Sequence, residues 1–149
     1  MNLPPALQGH VLGLHHVAIA VPSIALARPF YVDVMGLSVA ELEHVPDQKV
    51  NVLVVYAGTQ RIELVEPASN DSPISSFLQK RGSGLHHVAF EVADVAAVLE
   101  QLAGAGLRLI DRHPRPGAHG TRIAFVHPSA TGGVLTELVQ TPVPNRSHA

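Results

Sequence analysis

One six-residue stretch occurs twice in this chain. Gly13-Leu14-His15-His16-Val17-Ala18 returns letter for letter as Gly84-Leu85-His86-His87-Val88-Ala89, 71 residues later. A second echo follows: Glu63-Leu64-Val65 returns as Glu137-Leu138-Val139, 74 residues later. Repetition at this period means two copies of one unit, and a unit unable to bury its own apolar face pairs with its copy. Each copy carries a His near its start and a Glu near its end.

The pattern inside each copy sets the elements. Leu14 to Val21 alternates, with Val17, Ile19 and Val21 on one side and His16, Ala18 and Ala20 on the other. A bulky face packs on a helix; a face of small residues beside a histidine leaves room. Ser23 is a good N-cap, and Ile24, Leu26, Ala27, Phe30, Tyr31 and Val34 approximate a helical stripe that Gly36 ends. Pro29 opposes that helix, because an interior proline costs about 3 kcal/mol. Strands are expected at 37–44, 49–56 and 60–66, and a helix at 73–81. The second copy gives a strand at 85–92, a helix capped by Asp94 and running to about Ala103, and strands at 108–113, 121–127 and 134–140. Each copy thus reads βαβββ. The segment before Gly13, with Pro4 and Pro5, and the tail from Thr141 are expected to be irregular.

Composition closes several routes. The 149 residues suit one domain. The formal net charge is −2, with no basic stripe, so nucleic acid is not an expected partner. No apolar run reaches the roughly 18 residues of a membrane span. Met1 to Gly13 lacks a basic n-region and a cleavage site, so the expected location is the cytoplasm. There is no cysteine, so disulfides, thiolate catalysis and zinc-ribbon sites are excluded. Any metal must sit on nitrogen and oxygen.

The repeated residues supply such atoms. His16, Glu63, His87 and Glu137 all fall in expected strands flanked by apolar residues. A buried carboxylate is costly unless it is paired or binds a metal, and each copy carries one. The four form a ligand set for Co, Mn, Ni, Fe(II) or Zn, with positions left for substrate oxygens. That arrangement suits Lewis-acid work on a carbonyl and its enolate. His15 and His86 face away by alternation and are expected to serve packing. Glu66, Glu91 and His127 are weaker candidates for supporting or base roles. Arg61, Lys80, Arg81, Arg112, Arg115 and Arg122 could meet anionic groups, as could the backbone of the loop at 114–120. No GxGxxG, phosphate-loop or Ser/His/Asp pattern is present.

These stretches resemble the vicinal oxygen chelate superfamily, which takes in glyoxalases, bleomycin resistance proteins and dioxygenases, and within it the methylmalonyl-CoA epimerase family. The resemblance is carried by the segments 14–22, 61–67, 71–74, 77–82, 84–92, 125–128 and 132–139. Asp71-Ser72-Pro73-Ile74 and Gly132-Gly133-Val134-Leu135-Thr136-Glu137-Leu138-Val139 separate that family from its neighbours. The resemblance implies an α+β fold: two paired βαβββ modules forming a cupped mixed sheet around one metal site. It implies one domain over 1–149, with modules at about 14–67 and 85–140 and a linking segment at about 68–84. His16, His87 and Glu137 are implied as metal ligands, with the Glu63 position in the same site. Cobalt is the implied ion, and a homodimer the implied assembly.

The implied reaction interconverts (2R)- and (2S)-methylmalonyl-CoA through a metal-stabilised enolate. Glu63 and Glu137, from pseudo-symmetric halves, are the candidate proton-transfer groups at C2. Some epimerases carry a Glu at the place of Val52 as a proposed second base; this chain does not. His15 stands where many members have Asp. The alternative activity is a glyoxalase-type lyase on a glutathione hemithioacetal. A ring-cleaving dioxygenase, with its two-His, one-carboxylate triad, and a metal-free antibiotic-binding protein fit the four-residue set less well.

Overall fold

A computed structural model describes residues 10–142. Strands β1 (Val11–Ala20), β2 (Ser38–Val39), β3 (Glu43–Val45), β4 (Val50–Ala57) and β5 (Gln60–Pro67) belong to the first repeat. Helix α1 (Ile24–Arg28) follows β1. Helix α2 (Pro73–Arg81) lies between the repeats. The second repeat has β6 (Gly84–Val92), α3 (Val95–Gly104), β7 (Arg115–Pro116), β8 (Arg122–Val126) and β9 (Thr136–Gln140). With β2 and β3 counted as one interrupted strand, the βαβββ plan holds in both, within an α+β fold. No helix among the described residues is long and apolar enough to cross a membrane.

The chain divides into two compact units, and the division does not follow the repeats. One unit runs from His16 to Val88; the other takes the residues up to His15 and those from Ala89 onward. Both β1 and β6 are thus cut partway along. In the 16–88 unit the strand order is β2-β4-β5-β1, with β3 also on β4. β1 pairs parallel with β5, placing Ala18 opposite Glu63, whereas β4 pairs antiparallel with β5, placing Val54 opposite Glu63. In the other unit β9, β8 and β7 are successive neighbours, joined antiparallel, with Phe125 opposite Glu137. The Ala93 N–H donates to the His10 carbonyl at 3.0 Å.

Each unit buries one face of its strands under a helix. Val21, Ile24, Leu53, Val55 and Leu64 form one cluster, with Ile19, Ala27, Tyr31 and Ile62 packed against it. Val92, Val95, Val98, Leu99, Leu102, Ala124, Val126 and Leu138 form the other. The β1 alternation is as the sequence implies: Ile19 packs beside the helix, while His16, Ala18 and Ala20 are buried.

Several expectations fail, two of them for identifiable reasons. The stripe along the first helix is only half right. Leu26 is 83% exposed and Val34 73%, and Phe30 is exposed too. After Arg28 the chain runs as a π-helix through Pro29–Val34, where the Met35 N–H reaches the Phe30 carbonyl at 2.9 Å. Pro29 has no N–H to continue an α ladder, and the wider turn rotates the later residues off the face expected of a 3.6-residue period. The strand expected at 37–44 is two pieces, β2 and β3, separated at 40–42.

The strand expected at 108–113 is reduced to a single bridge, Leu109 to Val126. Asp111 explains this. Its carboxylate accepts the Phe125 N–H at 2.8 Å and an Arg115 N–H at 3.2 Å. A side chain that takes a ladder donor for itself interrupts the ladder. The first edge strand of the second repeat is instead β7, inside the segment expected to be loop. The lead-in before Gly13 is also shorter than expected, since β1 begins at Val11; Pro4 and Pro5 lie outside the described residues. Thr141 and Pro142 follow β9 without regular structure, as expected, and the remainder of the tail lies outside.

Candidate functional site

The strand face turned away from α1 carries His16, Ala18 and Ala20 on β1, Glu63 and Val65 on β5, and Val52 and Val54 on β4. Only two of these offer metal-binding atoms, and they meet. The Glu63 Oε2 lies 3.3 Å from the His16 Nδ1. On the far side of the same ring, the His16 Nε2 lies 3.2 Å from the His87 Nε2. The two rings stand edge to face, their centroids 5.3 Å apart. His16 is 3% exposed, His87 7% and Glu63 7%. Three groups that hydrate strongly in an unfolded chain are thus held out of water together, which needs compensating partners. No buried side-chain nitrogen or oxygen among the described residues lacks one.

Two imidazole nitrogens facing each other at 3.2 Å fit a shared ion. A divalent metal sits about 2.0–2.1 Å from each ring nitrogen, so one ion between them closes this gap with little movement. The donors are nitrogen and carboxylate oxygen, a set for Zn, Co, Ni, Mn or Fe rather than a thiolate-selected metal. The chain therefore holds a His/Glu group able to bind a metal ion.

Glu137 occupies in the second repeat the place of Glu63 in the first. It is 5% exposed on β9. Leu138 beside it points into the α3 cluster, whereas Val139 joins Ala89 and Ile123 in a separate small cluster. Glu137 therefore lies on the face opposite α3, as Glu63 lies opposite α1. Ala89, two residues from His87 on β6, is fully buried on that same face.

The weaker candidates resolve into structural parts. Glu66 accepts the Ile24 N–H at 2.7 Å and an Asn51 side-chain N–H at 2.9 Å, so it begins the first helix. Glu91 accepts from the Thr141 hydroxyl at 3.1 Å. The His127 Nδ1 accepts the Ser129 N–H at 3.0 Å and caps the turn at 128–130. Arg61 donates to the Tyr56 hydroxyl at 3.2 Å and lies over that ring. Arg81 lies over the Phe77 ring.

One residue the alternation argument set aside belongs here. The His86 Nδ1 lies 2.8 Å from the His87 Nδ1, and the Phe77 ring meets the His86 ring edge to face with centroids 4.8 Å apart. Strand parity sends neighbours to opposite faces and so hides a contact between two rings bent across the backbone. The doubled His in the motif was the available signal.

The chain is similar to known proteins over most of its length. Residues 15–125 match the model of the glyoxalase/bleomycin resistance protein/dioxygenase superfamily. The mitochondrial methylmalonyl-CoA epimerase of Mus musculus is 42% identical over 128 residues, covering 85% of this chain and 72% of that one. A crystal structure of methylmalonyl-CoA epimerase from Mycobacterium tuberculosis superposes with a TM-score of 0.85 at 35% identity, covering 93% of both chains. A Streptomyces coelicolor methylmalonyl-CoA epimerase variant in complex with 2-nitronate-propionyl-CoA superposes with a TM-score of 0.83 at 33% identity, covering 89% and 96%.

Proposed function

The chain belongs to the methylmalonyl-CoA epimerase family of the glyoxalase/bleomycin resistance protein/dioxygenase superfamily, and from that footing we propose that it inverts C2 of methylmalonyl-CoA with the help of a divalent metal ion. The observation that carries this reading is the buried His16–His87 pair, nitrogen facing nitrogen at 3.2 Å with Glu63 beside it. His16, His87 and Glu137 are the proposed ligands, and Glu63, which faces the other nitrogen of the His16 ring, is proposed as part of the same site. A bound divalent ion would supply Lewis-acid stabilisation of the charge that develops on the thioester oxygen when C2 loses its proton.

The chain's own groups do the rest. The C2 hydrogen lies between a thioester and a carboxylate, so a carboxylate base is strong enough once the enolate is stabilised. Inversion requires one group to take the proton and another to return one to the opposite face. Glu63 and Glu137 are the proposed pair, one from each repeat. Val52, buried among apolar neighbours, has no proton to give. The apolar residues around Glu63, among them Val54 and Ala18, keep bulk water from the carboxylate. Both repeats are read as one functional domain, about 14–67 and 85–140 joined by 68–84. Cobalt as the ion and a homodimer as the assembly rest on the family resemblance.

Incubation with (2R)-methylmalonyl-CoA in deuterated water should yield the (2S) epimer with deuterium at C2. Absence of both inversion and label with authentic substrate removes the reading. Parallel assay of a glutathione hemithioacetal tests the lyase alternative, for which no turnover is expected.

A further inference from the structure

We infer that His86 is a positioning residue for His87, and that α2 holds it in place. The inference rests on the metal reading above. The two Nδ1 atoms are 2.8 Å apart and the rings meet at 77° with centroids 5.1 Å apart. Two neutral imidazoles approach this closely through nitrogen only when one Nδ1 carries the proton and the other the lone pair. If His87 is to offer its Nε2 lone pair toward His16, its own proton must sit on Nδ1. His86 must then accept that proton's hydrogen bond and carry its own on Nε2. His86 thereby fixes both the tautomer and the tilt of His87.

On His16 the corresponding Nδ1 faces a carboxylate, Glu63. The two histidines are thus oriented from behind by different acceptors. A partner on the remote nitrogen is the usual way a ligating histidine is held. His86 is held in turn by the edge-to-face Phe77 ring, at 82° between planes, and the Arg81 guanidinium lies 5.9 Å from the centroid of that ring. Phe77 and Arg81 both belong to α2, the segment that joins the repeats. A continuous line of contacts therefore runs from the linking helix through Phe77, His86 and His87 to His16 and Glu63, all inside the 16–88 unit.

The test is metal affinity rather than turnover. Protein stripped by chelation is titrated with Co2+ against a chromophoric chelator. His86→Phe keeps a ring against Phe77 but removes the acceptor; His86→Asn keeps an acceptor near the Nδ1 position. Losing such an outer partner lowers affinity about 10- to 100-fold, so His86→Phe should fall in that range while His86→Asn stays within about threefold of wild type. The visible spectrum of the Co2+ form should shift in His86→Phe and return in His86→Asn. Wild-type affinity in His86→Phe overturns the inference, and so does equal weakening of both variants, which would mean packing alone. A wild-type protein that takes up none of Co2+, Mn2+, Ni2+ or Zn2+ overturns the metal reading and this inference together.

Discussion

In the first repeat the opening N–H of the helix, from Ile24, goes to the Glu66 carboxylate at 2.7 Å. In the second the equivalent donor, from Val95, goes to the Gln140 carboxamide at 2.9 Å. Glu66 and Gln140 stand three residues beyond Glu63 and Glu137, so each closing strand presents one carboxylate to the site face and then reaches round to start its helix. Both helices also have a side-chain cap: Ser23 accepts from Leu26 and Asp94 from Ala97. The clamp survives a change from charge to neutral amide because its geometry is set by the strand. What changed is the electrostatics: a carboxylate at a helix N-terminus gains from the helix dipole, and a carboxamide does not.

The largest expected effects test whether the repeats are equivalent at the site. His16→Ala, His87→Ala and Glu137→Gln should each lose the metal, measured on purified protein, and abolish turnover. His15→Ala should keep its metal and change stability at most. Should only one repeat's histidine matter, the two copies are not partners in one site.

Next comes the loop between β7 and β8 of the second repeat. A Cβ on Gly117 would meet the Thr121 Oγ1 at 2.5 Å and the Ile123 Cγ2 at 2.7 Å. Gly117→Ala should therefore destabilise by about 1–3 kcal/mol in denaturant unfolding, as overpacking does. The clamps give the third contrast. Glu66→Ala removes a charged acceptor with two donors and should cost about 1.5–3 kcal/mol, whereas Gln140→Ala should cost about 0.5–1.5 kcal/mol. Glu66→Gln keeps one acceptor oxygen for Ile24 but loses the bond from Asn51 as well as the dipole contribution, so it should cost roughly 1–2 kcal/mol, with metal content unchanged. Equal losses at Glu66 and Gln140 would show that charge adds nothing there.

The smallest effect lies outside both repeats' sites. Lys49 and Ser69, by hydrogen bonds and charge, hold the Asp71 carboxyl down to about 2. A depressed carboxylate contributes stability above its unfolded value near 4, and that contribution fades as pH falls through 2. Asp71 is fully exposed, so Asp71→Asn should barely move the unfolding midpoint at pH 7, and its difference from wild type should vanish toward pH 2.

Much of this was legible because it depends on local rules. Ser23 and Asp94 are capping residues followed by apolar periodicity, and both cap. Pro73 opens α2 and Arg81 closes it, as the pattern at 73–81 implies. The alternation in β1 and β6 put His16 and His87 on the faces of Ala18 and Ala89, where they lie. The misses come from side chains that compete with the backbone or from turns of unusual pitch. Asp111 captures a strand donor that periodicity assigns to the ladder. Pro29 turns an α-helix into a π-helix, in which Phe30 and Val34 are exposed. The contact of His86 with His87 is one that strand parity does not foresee.

The division of the chain at His15/His16 and at Val88/Ala89 bears on what either half of a cut chain would contain. A chain severed at Gly82-Ser83 yields an N-terminal fragment without the His87 strand end that belongs to its compact unit. The C-terminal fragment lacks residues 10–15, which belong to its own. Neither fragment is a complete folding unit, although each carries a whole repeat.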